Sequence, residues 1–147
     1  MQKSKQLFTR ITSEGELEVS LKEVDVPPPK PHEVVVKMEA SPINPSDMWP
    51  MFGPASLDEA TFDESKNALV APVYKPLLAR IKSRLDQTLP IGNEGAGTVV
   101  AAGDSPEAQA LVGKTVSILT GAAYTQYACV PLQACLPHME GTTAQQA

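Results

Sequence analysis

The sequence predicts a mainly β fold with short helices, and three observations carry this. Fourteen prolines and nine glycines are spread over 147 residues. Punctuation this dense cuts a chain into short strands and turns, and it argues against a bundle of long helices because Pro breaks helix interiors. Apolar residues run in short alternating or β-branched stretches, with Leu17-Val19-Leu21 and Val34-Val35-Val36 the clearest. The length, with 42% hydrophobic and 20% charged residues, suits one globular domain that buries a core without disulfide staples.

The elements follow in order. Residues 5–12 read as a first strand. Ser13-Glu14-Gly15-Glu16 makes a hairpin turn with Gly15 free to take positive φ. Residues 16–26 return as a second strand whose alternation has one break. Pro27 to Pro31 is held extended by its prolines. Glu33–Ala40 is a strand, and its Val34-Val35-Val36 run suits burial on both faces. Pro42 ends it. Asn44 is placed to cap a short helix opened by Pro45.

Residues 50–90 begin acidic (Asp58, Glu59, Asp63, Glu64) and end basic (Lys75, Arg80, Lys82, Arg84). Leu77, Leu78, Ile81 and Leu85 fall at helical spacing, so 76–86 is expected as an amphipathic helix with Pro76 near its start. Gly92 to Gly103 carries no G-x-G-x-x-G between a strand and a helix. It reads as a tightly bent strand whose small residues let the backbone pass close to a neighbour or a ligand. Glu107–Leu111 reads as one helical turn. Strands are expected over 113–119 and 124–130, with a short one over 133–136.

The net charge of −5 argues against nucleic-acid binding, which needs a basic face. Cys129 and Cys135, a C-x5-C pair on strand-like segments, are expected as free, largely buried thiols, which fits a reducing cytoplasm. No apolar h-region follows the charged N-terminal residues, so no secretory signal is expected. No apolar run approaches the ~20 residues of a membrane span.

Ser41-Pro42-Ile43-Asn44-Pro45-Ser46-Asp47, the later Gly92-Asn93-Glu94-Gly95-Ala96-Gly97, the entry Gly121 to Ala128 and the segment Leu136-Pro137-His138-Met139-Glu140-Gly141-Thr142 stand in a telling order. Together they resemble the N-terminal domain of the medium-chain dehydrogenase/reductase superfamily. The resemblance implies a GroES-like, partly open β-barrel over 1–140, with a helical insertion at about 50–90. Residues 141–147 would begin the linker, with Thr142 or Thr143 capping the first helix of a nucleotide-binding Rossmann domain. Where the zinc branch carries Cys and His, this chain has Pro45 or Ser46, and Asn93. No metal site is therefore expected, and the likeness points to the zinc-independent quinone oxidoreductase branch.

That likeness implies hydride transfer from NADPH to a quinone or an activated alkene, in a cytoplasmic protein that can be homodimeric at full length. Asn44 and Tyr124 would line the cofactor-facing cleft, with Asp47 and Trp49 supporting or walling it. Asn44 caps a helix in the bland reading, and both roles are compatible. Glu94 would be a buried polar group nearby. Enoyl reductases carry a Tyr acid soon after the Asn-Pro-Ser-Asp segment; here that stretch is Trp49 to Pro54, and Tyr74 is the only tyrosine before the Gly-rich run. Asn44 and Tyr74 are thus the catalytic candidates. Without the phosphate-cradling βαβ unit, the isolated chain is expected to bind NADPH weakly and to be inactive. An enoyl thioester reductase domain and a stand-alone GroES-like interaction module are the alternatives.

Overall fold

Val34, Val35 and Val36 are 0%, 3% and 0% exposed, and their strand is the centre of one part of the chain. The computed structural model describes residues 2–147. They divide into two units. The first comprises the described residues up to Gln6, Glu23–Ile43 and Gly92–Ala147; the second comprises Leu7–Lys22 and Asn44–Ile91. Strands β1 (Lys3–Ile11) and β2 (Glu16–Asp25) contribute residues to both.

The first unit holds a five-stranded sheet built from β3 (Glu33–Ala40), β7 (Glu94–Ala102), β8 (Thr115–Leu119), β9 (Tyr127–Pro131) and β10 (Cys135–Pro137), in the order β10-β8-β7-β3-β9. These strands pair antiparallel. β3 lies between β7 and β9, so both its edges are hydrogen-bonded. Val34, Val36, Val99, Val116, Ile118, Ala128 and Val130 make the core on one face. Irregular register between Val35 and Val36, and between Met38 and Ala40, bends the β3–β7 pair. Helix α3 (Pro106–Gln109) is one turn, capped by Ser105 Oγ, which accepts from Ala108 N–H at 3.2 Å. The strand expected from residue 124 begins only at Tyr127, because Ala123 to Gln126 turn before joining it.

The second unit begins with the hairpin turn. Gly15 takes φ +90° and donates to the Thr12 carbonyl at 3.0 Å. Helix α1 (Pro45–Phe52) follows. The insertion carries short helical segments, as expected, and also a β-ribbon. β4 (Thr61–Asp63) pairs with β5 (Ala68–Pro72), and β5 pairs with β2 from Glu16↔Pro72 to Ser20↔Ala68. With β6 (Leu89–Pro90), the sheet order is β4-β5-β2-β1-β6. Lys66 bridges Glu16 and Glu18, which ties the ribbon turn to β2.

The single helix expected over 76–86 is not formed. Lys75–Leu78 (α2) makes one α-turn, and Ala79–Arg84 continues as 3-10 helix with Ile81 off helical geometry at φ −122°, ψ 23°. Two tertiary demands outweigh the local pattern. Ile81 is buried with Ile11, Leu17, Ala71 and Val73. Arg84 donates to the Trp49 carbonyl at 3.3 Å and the Pro50 carbonyl at 2.8 Å. Those carbonyls lie in the last turns of α1, where a cation complements the helix dipole. Among the described residues no helix is long and apolar enough to cross a membrane.

Candidate functional site

The Asn44–Trp49 segment folds as its sequence demands. Asn44 is extended at φ −87°, ψ 156°, and Pro45 opens α1. Asp47, 2% exposed, reaches back so that its Oδ2 accepts the Asn44 backbone N–H at 2.8 Å. This is the returning half of a capping box, and a carboxylate in the first turn also complements the dipole. Asp47 is therefore a helix anchor by geometry. Asn44 is half-buried at the start of that helix, and Trp49 is 58% exposed on its surface. Asn44, Asp47 and Trp49 thus share one short helix of the second unit. Tyr74 also belongs to that unit; it is 67% exposed at the N-cap position of α2.

Tyr124 belongs to the first unit. It is half-buried, packs its ring over Gly92, and donates its hydroxyl to the Pro42 carbonyl at 3.0 Å. A Cβ on Gly92 would lie 2.7 Å from ring carbon Cδ1, so glycine there is required by the tyrosine. Ser41 Oγ donates to the Ala123 carbonyl at 3.3 Å in the same unit.

A cavity of about 450 Å³ opens in this unit, lined among others by Ser41, Pro42, Glu94, Ala96 and Ser117. Glu94 was expected to be buried; it is exposed. It pairs with Leu119 on β8, and Leu119 is 70% exposed, so Glu94 faces away from the Val99–Val116 core. Alternation along β7 puts Glu94 and Ala96 on one face and Gly95 and Gly97 on the other.

His138 stands just past the end of β10. It is half-buried, its Nε2 lies 2.6 Å from Ser117 Oγ, and its backbone N–H donates to the Thr115 carbonyl at 3.0 Å. The two side chains are 21 positions apart, and only the β8–β10 pairing brings them together. No local sequence signal marks them. Beyond β10, Thr143 begins a single turn: its N–H and hydroxyl both meet Gln146 Oε1 at 3.1 Å, and its carbonyl accepts from Gln146 and Ala147 N–H. The side chain that meets a backbone N–H in this turn is that of Gln146, which accepts from Thr143.

Pro45 and Ser46 are exposed at the start of α1, and Asn93 is half-buried in the other unit. The cysteines are free and only partly buried. Burial pushes the Cys129 thiol up to about 11; Glu33 opposes the thiolate and accepts its S–H at 3.7 Å. Burial also raises Cys135. A thiol so shifted holds little nucleophilic thiolate near neutrality. Iodoacetamide at about pH 8 is expected to modify Cys129 on the order of a hundredfold more slowly than a free thiol, with the rate climbing as pH approaches the thiol's own value. Labelling at the free-thiol rate, read by peptide mass spectrometry, would contradict this.

No protein-family model and no curated protein sequence matches the chain. Solved structures do. A candidate NADPH:quinone reductase from Mesorhizobium loti aligns over 99% of this chain and 39% of its own, with TM-score 0.61 and 26% identity. The CurK enoyl reductase aligns over 96% and 37%, with TM-score 0.62 and 14% identity. A short chain alcohol dehydrogenase (RspB) from E. coli CFT073, complexed with its cofactor NADH, aligns over 100% and 42%, with TM-score 0.65 and 18% identity. The last two likenesses bear on the fold alone. The chain spans about two fifths of the length of these proteins. It shares its fold with quinone oxidoreductase-like enzymes, and the mainly β, GroES-like class expected from the sequence is the one observed.

Proposed function

We propose that this chain is the substrate-side part of a zinc-independent oxidoreductase that moves a hydride from NADPH to a quinone or an activated alkene. The observation that carries the reading is the 26% identity to a candidate NADPH:quinone reductase over 99% of the chain. In this reading residues 1–140 form the substrate-side domain, and 141–147 open the linker to a Rossmann domain. The turn that begins at Thr143 supports that assignment. A small-molecule substrate, a cytoplasmic location and a homodimeric full-length protein belong to the same reading.

The residues present fit one end of a nicotinamide dinucleotide and not the other. On α1, Trp49 offers an exposed aromatic face and Asn44 a carboxamide at the helix start. For the pyrophosphate end, the only Gly-rich run among the described residues lies in strand β7. Its Gly97 has no room for a ligand, because a Cβ there would lie 1.9 Å from the Lys37 carbonyl oxygen. The bound cofactor would supply the hydride. The chain's own part is to hold and orient. Asp47 fixes the start of α1, the helix presents Asn44 and Trp49, and the Pro42 carbonyl holds the Tyr124 ring in its own unit. A quinone accepts hydride readily, so orientation supplies most of what it needs. Tyr74 is the remaining candidate for a proton donor.

NADPH titration followed by Trp49 fluorescence tests the proposal, since Trp49 is the sole tryptophan. The comparison is between this chain and one extended by about 200 residues, a domain-scale addition. Quenching only in the extended protein is the expected result. Saturable tight binding by the 147-residue chain alone would overturn the division of labour. Silence in a folded extended protein would favour a GroES-like interaction module, a reading supported by Met48 and Trp49, 43% and 58% exposed on α1. An enoyl thioester reductase domain is the other reading, since Tyr74 is a tyrosine that could act as its acid and the fold is one the chain shares with the CurK enoyl reductase.

A further inference from the structure

Ser117 and His138 form a nucleophile–base pair that the proposed hydride chemistry does not use. β8 and β10 pair antiparallel with Ser117 opposite Leu136. Side chains two apart share a face, so His138 is the diagonal neighbour of Ser117. The buried flanks Val116 and Ile118, 0% and 2% exposed, lock β8 so that Ser117 points away from the core. The His138 N–H bond to the Thr115 carbonyl, 3.0 Å, holds the backbone at that position. The outcome is Oγ···Nε2 at 2.6 Å.

The surroundings make this more than a structural tie. Ser117 lines the cavity of about 450 Å³. Its cross-strand neighbour on β7 is Ala96, whose methyl is the smallest side chain a non-glycine residue can place beside Oγ. His138 lines a second cavity of about 690 Å³, shared with Lys114 and Glu140. Ser117 thus lines one cavity and His138 the other, with their side chains joined by the Oγ···Nε2 contact. With Nδ1 carrying the proton, Nε2 accepts the Ser117 O–H, the arrangement that activates a serine. Glu94 in the same cavity disfavours anionic donors, so a short neutral acyl group is the matching class.

We propose that Ser117, with His138 as its base, is an acyl-acceptor site for short neutral activated esters. Ser117 Oγ bonds to the ester carbonyl carbon, the O–H proton passes to His138 Nε2, and the carbonyl–oxygen bond breaks to release the alcohol part as its anion. The product is an O-acyl serine beside an imidazolium. No oxidant or further reactant enters.

The probe is p-nitrophenyl acetate on the 147-residue chain, read by nitrophenolate release and by peptide mapping of the intact adduct. One acetyl group on Ser117 is expected, with one equivalent of nitrophenolate. Ser117→Ala removes that adduct. His138→Gln keeps a polar side chain but no base, and it slows acylation about a hundredfold, the usual scale of general-base assistance. Circular dichroism confirms that each variant is folded, and a Ser117→Cys variant in the native His138 background provides a second test by becoming acylated faster than Cys129 or Cys135. An adduct confined to lysines or to the native cysteines, no adduct at all, or an unchanged Ser117 rate in His138→Gln would each overturn the proposal.

Discussion

Gly97→Ala is expected to lower stability by about 3 kcal/mol, at the upper end of ordinary overpacking costs. The new Cβ would lie 1.9 Å from the Lys37 carbonyl oxygen, 2.8 Å from its carbon and 3.0 Å from Met38 Cα. All three atoms are backbone, so no rotamer change relieves the clash. Lys37 and Met38 sit on β3, which β9 holds from the other side, and Val34 and Val36 of that strand are fully buried. Moving β3 away would open the first unit's core. Urea unfolding should show a lower midpoint with an unchanged slope. Gly121→Ala is the control, because nothing lies within 4 Å of its Cβ position. A Gly97→Ala midpoint equal to that of the control would refute the close-packing account.

Leu17→Ala should cost the second unit about as much, ~3 kcal/mol within the range for large-to-small core changes. Leu17 is 0% exposed and packs with Ile11, Ala71, Val73 and Ile81. Its strand is held opposite Ala71 on β5, so the backbone cannot collapse fully into the space and a cavity term adds to the lost transfer energy. The kinked 75–84 segment is anchored there through Ile81 and Leu78. Amide exchange in that segment should therefore rise along with the fall in urea midpoint. Leu21, 43% exposed on the same strand, should lose less than about 1 kcal/mol on the same change. Equal losses at the two leucines would mean that Leu17 is not core.

Much of the fold is legible in the sequence. Val34-Val35-Val36 announced a strand buried on both faces, and it is the strand with partners on both edges. Asn44 with Pro45 announced the start of α1, and Ser13 to Glu16 the first turn. For the 76–86 segment, helical spacing picked out the residues that turn inward, Leu78, Ile81 and Leu85, yet it misjudged the backbone carrying them. The β-ribbon of the insertion was not read, because Thr61–Asp63 is too short for a period to show.

The candidate site divides the same way. The bond from the Asn44 N–H to Asp47 is a helix-start contact three residues long, which the local spacing encodes. The exposure of Glu94 and the bond between Ser117 and His138 depend on strand pairings across tens of residues, and no window of sequence contains them.

By itself, then, the sequence determined periodicity, turns and caps, because each of these is settled within a few residues by dihedral preference and local hydrogen bonding. Only the tertiary structure decided that Gly97 is small for the sake of the Lys37 carbonyl, that 75–84 must kink to bury Ile81, and that His138 leans on Ser117. Each of those outcomes depends on which strand pairs with which and in what register. Register is set by burial summed over a whole sheet face, a quantity no single segment carries.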